Sequence, residues 1–110
     1  MALFMYQAAY TGASWAAQLK SPQNRVETMG RAVCEAVGGK LVGGWYCFGE
    51  YDIVIIADVP NAESMAAIAL AIAAGGAVKA AQTTALMSGA DGVAAMTKAE
   101  AVSAAYKPAR

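Results

Sequence analysis

The sequence predicts a single α+β domain, with a four-stranded antiparallel sheet that carries two helices on one face. Two observations support this. Apolar, β-branched or aromatic segments and segments with helical periodicity follow one another in the order β-α-β-β-α-β, with glycine, proline and asparagine at the boundaries. At 110 residues, the chain has the length of one domain, and no linker or repeat divides residues 1–110.

The first strand is predicted over residues 2–10, ALFMYQAAY, because this segment is apolar and aromatic and contains no breaker. Residues 11–21 form a long connection, in which residues 13–20 are expected to make one or two helical turns. These turns place Trp15 and Leu19 on one side. We expect Trp15 to pack against its own domain, or alternatively to cover a cavity or a subunit interface.

The first long helix is predicted to begin at Ser21 and Pro22, since serine is a good N-cap and proline suits the first helical position. Gly38-Gly39 ends this helix. Its buried face is expected to carry Val26, Met29, Val33 and Val37. Arg25 falls in the first turn, an unfavourable end for a cation, so a solvated or salt-bridged arginine is expected there, or alternatively an arginine that binds an anionic ligand.

Residues 40–48 and 51–58 are predicted to form a β-hairpin. Gly49 and Glu50 fit a two-residue type II′ turn, because the first position of that turn requires a positive φ. Gly43-Gly44 lies inside the second strand and indicates a bulge or a close backbone contact.

Pro60 ends the third strand, and Asn61 caps a second helix that ends at Gly75-Gly76. The inner face of that helix is predicted to carry Met65, Ile68, Ala69 and Ile72. Residues 77–87 are predicted as the fourth strand. This order of elements is the ferredoxin-like arrangement.

A short C-terminal helix is predicted over about residues 97–105. Thr97 and Glu100 have the spacing of a capping box, in which each side chain bonds the other residue's backbone N–H. The residues after this helix are expected to fray.

The hairpin strands present apolar side chains to both sides of the sheet. Strict alternation places Val42, Tyr46 and Phe48 on one side and Leu41, Trp45 and Cys47 on the other. A sheet that is apolar on both faces must be covered on both. Since the helices cover only one face, we predict a homodimer or a higher homo-oligomer.

Composition excludes several classes of function. Eight basic and eight acidic residues balance, so nucleic acid is not an expected partner, and no apolar run reaches the ~20 residues that span a membrane. There is no basic leader, and the two cysteines, Cys34 and Cys47, are expected to be buried free thiols, so a cytoplasmic location is expected. With no histidine and no cluster of acids, neither a cofactor nor a metal site is expected.

Four segments together resemble the GYD domain family: AYTGASW, SPQNR, GEYDIV and AGGAVKAAQTTAL. The resemblance extends over about residues 3–100. It implies a ferredoxin-like subunit of the dimeric α/β-barrel type, a group with cofactor-free monooxygenases, isomerases and ligand-binding modules. It implies no particular activity. The positions that match the family's motifs are Tyr10, Thr11, Arg25, Gly49, Tyr51, Asp52, Pro60, Gly76 and Thr84.

Three functional hypotheses follow. The first is a small-molecule-binding or regulatory oligomer, with an apolar cavity between the sheet and its covering. Its ligand-binding candidates are Tyr6, Trp15, Trp45, Tyr46, Tyr51, Asp52 and Thr84. The second is a cofactor-free enzyme acting on an apolar compound, with Asp52 as the base and Arg25 or Tyr51 as the oxyanion stabiliser. The third is a structural oligomer without a ligand.

Asp52 has a structural interpretation as well as a catalytic one. Aspartate is disfavoured in strands, so its carboxylate needs a partner. That partner is either a backbone N–H at the end of the hairpin or a cation such as Arg25 or Lys79.

Overall fold

Four strands and four helices make up the computed structural model, which describes residues 1–109. The strands are β1 (Ala2–Tyr10), β2 (Lys40–Tyr46), β3 (Ile53–Val59) and β4 (Val78–Leu86). The helices are α1 (Gly12–Lys20), α2 (Arg25–Ala36), α3 (Ala62–Ala74) and α4 (Gly89–Ala105). Antiparallel pairing joins the strands in the order β2-β3-β1-β4. This confirms the predicted ferredoxin-like α+β fold.

The core lies between one face of the sheet and the helices α2 and α3. Along β3, every second side chain is buried, as expected for a strand with one face against a core. The most enclosed side chains include Tyr6 of β1, Cys34 of α2 and Met65 of α3. We call the opposite side of the sheet, which no helix of residues 1–109 covers, the open face.

The first long helix begins later than predicted. α1 is a full helix capped by Thr11, whose side chain accepts from Ser14 N at 3.0 Å. Because α1 extends to Lys20, Ser21 serves as its C-cap and its N–H bonds Gln18 O. The chain then turns, and Asn24 caps α2 instead. The prediction that Ser21 and Pro22 begin the helix was therefore wrong.

The hairpin connection differs from the predicted two-residue turn. It spans residues 47–52, and the residue with positive φ is Phe48 (φ 49°), not Gly49. Two backbone hydrogen bonds of 2.8 Å close it, from Cys47 N to Asp52 O and from Gly49 N to Tyr51 O. The type II′ prediction was wrong, because the chain pairs across a wider loop in which Gly49 needs no special conformation.

A bulge in β2 confirms the prediction made from its two glycines, but it also changes which side chains share a face. The register moves from Leu41 opposite Ala57 to Gly43 opposite Ile56, so Val42 is the additional residue. Leu41 and Tyr46 consequently both face the helices, and the predicted strict alternation was wrong.

The C-terminal helix is longer than predicted. Ser88 caps α4 by accepting from Asp91 N at 3.0 Å, while Thr97 lies inside the helix and donates to Val93 O at 3.2 Å. The prediction of a capping box at Thr97 was wrong, because the alanine-rich helix begins at the earlier cap, Ser88, and continues through Thr97. α4 buries no residue and extends away from the body. The radius of gyration is accordingly 17.3 Å, against about 13 Å for a compact chain of this length.

Gly39 and Gly49 differ in the space available for a side chain, so substituting each by alanine tests the observed backbone. A Cβ on Gly39 would lie 2.5 Å from the backbone oxygen of Asp58, whereas a Cβ on Gly49 would meet nothing within 4 Å. We expect Gly39→Ala to lower the free energy of unfolding by about 2 kcal/mol, because the backbone must move to make room. Gly49→Ala should be nearly neutral. Urea unfolding measures both, and a large loss in Gly49→Ala would contradict the observed turn.

Candidate functional site

An apolar cavity of about 370 Å³ lies between α2, α3 and the sheet; we call it the helix cleft. Met29 and Val33 of α2 and Ile72 of α3 form its walls, and Ile53 and Ile55 of β3 contribute to its floor. The cleft lies on the helix-covered side of the sheet and is formed within one chain.

Small residues leave this space unfilled. Gly30 of α2 and Ala71 of α3 both line the cleft, and a Cβ on Gly30 would already lie 3.3 Å from Leu41. At Gly30, α2 therefore lies close to Leu41 of the sheet, and neither Gly30 nor the exposed Ala71 of α3 has a side chain long enough to fill the gap between the helices.

Three polar side chains line the otherwise apolar cleft: Tyr6, Tyr10 and Arg25. Burial raises the pKa of Tyr6 above its usual value of 10.0. Burial is also the main cause of the raised pKa of Tyr10, which the charge of Arg25 partly opposes. Both hydroxyls therefore stay protonated at neutral pH and are available as hydrogen-bond donors.

A second, more open cavity of about 530 Å³ adjoins the helix cleft; we call it the α1 groove. Ser14 and Gln18 of α1, together with Gln23, make it more polar than the cleft. Arg25 lines both cavities and thus lies at their junction.

Asp52 lies outside both cavities and joins three segments of the chain. Its Oδ2 accepts hydrogen bonds from Tyr10 N at 2.8 Å and from Trp15 Nε1 at 3.1 Å. The Trp15 ring packs edge-on against Tyr10, with ring centroids 5.2 Å apart, and tilts against Phe48 at 5.9 Å. The carboxylate thereby fastens α1 and the end of β1 to the hairpin loop.

The remaining predicted site residues are dispersed. The hydroxyl of Tyr51 donates to Gln82 Oε1 at 3.1 Å. Trp45 and Thr84 lie on the open face, opposite Val54 and Met5 in the register. Tyr46 faces the helices; its ring stacks on Phe48 at 5.6 Å, and its hydroxyl donates to Gln23 O at 3.4 Å.

Of the predicted candidates, the structure brings Tyr6 and Arg25 together in the helix cleft. Sequence reasoning assigned Met29, Val33 and Ile72 to inner helix faces, but did not recognise the cavity that they enclose. The signal available in the sequence was the small residue close to each of them, Gly30 on α2 and Ala71 on α3.

The two cysteines differ in environment. Cys34 is buried as predicted, and burial raises the pKa of its thiol. Cys47 is exposed, with its Sγ donating to Tyr51 O at 3.2 Å. The prediction that both are buried was wrong for Cys47, because β2 ends before it and places it in the loop.

Within residues 1–109, no group of three His, Cys, Asp or Glu side chains is arranged to hold a metal ion. Over the same residues, no helix combines the length and the apolar character needed to cross a membrane.

Comparisons with known proteins add the family and the fold. No curated protein matches the chain. Among solved structures, the crystal structure of MtbAldR is similar, with a TM-score of 0.54 at 10% identity over 79% of this chain and 52% of that one. This chain thus spans about half the length of that structure, and at such low identity the likeness shows the fold alone. A family model of the GYD domain matches residues 4–101. The chain belongs to the GYD domain family.

Proposed function

We propose that this chain is a non-catalytic binding domain that takes up a small, largely apolar molecule in the helix cleft, as part of a cytoplasmic homo-oligomer. The observation that carries the proposal is the cleft itself, about 370 Å³ in volume. Its walls are apolar, with three polar side chains among them. Binding sites for small molecules have this size and this distribution of polar groups.

The bonding of Asp52 supports binding over catalysis by that residue. One oxygen of its carboxylate accepts from two protein donors, and the residue lines neither cavity. A general base needs to reach the proton that it abstracts, directly or through one water molecule. In this position, the carboxylate contributes to the fold instead.

The open face supports the proposed oligomer. Its apolar side chains are neighbours in the register, with Met5 opposite Ile56, Trp45 opposite Val54, and Leu3 opposite Leu86. Trp45 remains 54% exposed in the single chain. A second copy that presents the same patch would bury these side chains in an isologous contact.

The cleft is tested with a neutral fluorescent probe, N-phenyl-1-naphthylamine, whose emission rises in apolar sites. We expect the wild type to enhance the fluorescence of the probe, and the enhancement to saturate as binding sites fill. Ala71→Trp places a large ring at the wall of the cleft, and we expect it to reduce the enhancement at least tenfold. Ala66→Trp serves as the matched control, because Ala66 is exposed on the same helix and lines neither cavity.

Equal enhancement in the wild type and Ala71→Trp would place the probe elsewhere and contradict the proposal. The same holds for a wild type that gives no enhancement. Circular dichroism of both tryptophan variants shows whether the helices remain intact.

A further inference from the structure

We infer that the ligand of the helix cleft is a small carboxylic acid, whose carboxylate accepts hydrogen bonds from Arg25 and a neighbouring tyrosine hydroxyl while its apolar body lies between α2 and α3. The inference rests on the proposed function, since it identifies the chemical class of the molecule that occupies the same cleft.

Arg25 provides the first argument. Arg25 is an exposed residue at the edge of the cleft; its backbone N–H bonds Gln23 O at 3.0 Å, and among residues 1–109 its guanidinium has no acidic partner. No aspartate or glutamate lines the helix cleft or the α1 groove. A guanidinium offers five N–H donors in a planar fork and no acceptor, a geometry that matches a carboxylate in a bidentate pair.

The tyrosines provide the second argument. Tyr6 is only 1% exposed and lines the cleft, and among residues 1–109 its hydroxyl has no hydrogen-bond partner. The hydroxyl of Tyr10, in the same cleft, has none either. Neither hydroxyl oxygen is among the fully enclosed polar atoms that lack a partner in residues 1–109, so both are open to the cleft and can donate to a ligand oxygen.

The charge of the site distinguishes a carboxylate from a more highly charged anion. Arg25 is the only cationic side chain among the described residues that line either cavity. One guanidinium balances one negative charge, whereas a phosphate group carries up to two and is usually held by more donors. The site therefore favours a monoanion.

The volume limits the size of the apolar body. At about 30 Å³ for each water-sized group, 370 Å³ holds about 12 non-hydrogen atoms. A phenyl ring on a short alkyl chain that ends in a carboxylate has this size. A larger molecule such as N-phenyl-1-naphthylamine fits by extending into the adjoining α1 groove. The α1 groove, which Arg25 also lines, gives solvent access at the charged end.

The test compares 4-phenylbutyrate with its neutral amide, 4-phenylbutyramide, by isothermal titration calorimetry. The two probes have the same shape and differ in charge. We expect the wild type to bind the acid at least tenfold more tightly than the amide. Arg25→Gln should lower the affinity for the acid at least tenfold and leave the affinity for the amide unchanged. Arg31→Gln is the matched control, since Arg31 is exposed on the same helix and lines neither cavity.

Each outcome separates the two proposals. If the wild type binds both probes with equal affinity and Arg25→Gln changes neither affinity, the inference of a carboxylate ligand is wrong, but the proposal of an apolar binding site is supported. If the wild type binds neither probe and also gives no enhancement with N-phenyl-1-naphthylamine, the binding function itself fails. Arg25→Lys keeps the charge but not the fork, so an affinity for the acid between those of the wild type and Arg25→Gln is expected.

Discussion

Replacing Asp52 by alanine is expected to lower the free energy of unfolding by about 3 kcal/mol. The substitution removes the acceptor of two hydrogen bonds, from Tyr10 N and Trp15 Nε1. Hydrogen bonds to a charged group contribute about 1.5–3 kcal/mol each, and partial exposure places these at the lower end. The corresponding fall in Tm is about 10 °C or more. Asp52→Asn retains an oxygen acceptor without the charge, so a smaller loss is expected.

Glu50→Ala is the control for this effect, because Glu50 lies in the same loop, is exposed and makes no side-chain hydrogen bond among the described residues. Thermal unfolding by circular dichroism measures all three variants. Binding of N-phenyl-1-naphthylamine, measured well below the Tm, should survive in Asp52→Asn. A variant with the stability of the wild type but no binding would show that Asp52 acts on the ligand and not on the fold.

The sequence was sufficient for the elements that depend on periodicity. The apolar run forms β3 within two residues of the predicted bounds, and Asn61 caps α3 by accepting from Ser64 N at 2.9 Å. These signals are local, because each depends on residues within one helical turn or one strand. The order of the strands then follows from the short connections of the fold.

The errors arose where two local signals compete. Ser21 and Asn24 are both good N-caps, and the length of α1 decides between them. In the hairpin, Gly49 suits a tight turn, but the chain places positive φ at Phe48 instead, whose ring stacks on Tyr46. Contacts between segments far apart in the sequence settle such choices.

The helix cleft was beyond prediction for a further reason. Its chemistry depends on Tyr6 and Tyr10 of β1 meeting Arg25 of α2. Tyr6 and Arg25 were recognised separately as candidates, but no periodic pattern indicates that two strand residues and a helix terminus enclose the same space. A cavity is the absence of packing, and only the relative placement of α2 and α3 on the sheet creates it.

Replacing Ile56 by lysine is expected to convert the proposed dimer to a monomer. Ile56 lies on the open face opposite Met5, in the interior of the patch that also contains Trp45 and Val54. In a face-to-face dimer, each copy would bury one new ammonium group in an apolar contact, where an unpaired charge costs several kcal/mol. A loss of 4 kcal/mol weakens association about 1000-fold.

Native mass spectrometry and analytical ultracentrifugation at micromolar concentration measure this change. The wild type should have at least twice the chain mass of 11.2 kDa, and Ile56→Lys should have the mass of one chain. Ala66→Lys adds the same charge on the exposed side of α3 and should leave the assembly unchanged. A wild type that sediments as a single chain would contradict the proposed contact. In that event, the lysine of Ile56→Lys would lie in water and the Tm would be almost unchanged. If the wild type is a dimer, its dissociation exposes two apolar sheet faces, and the Tm of Ile56→Lys falls.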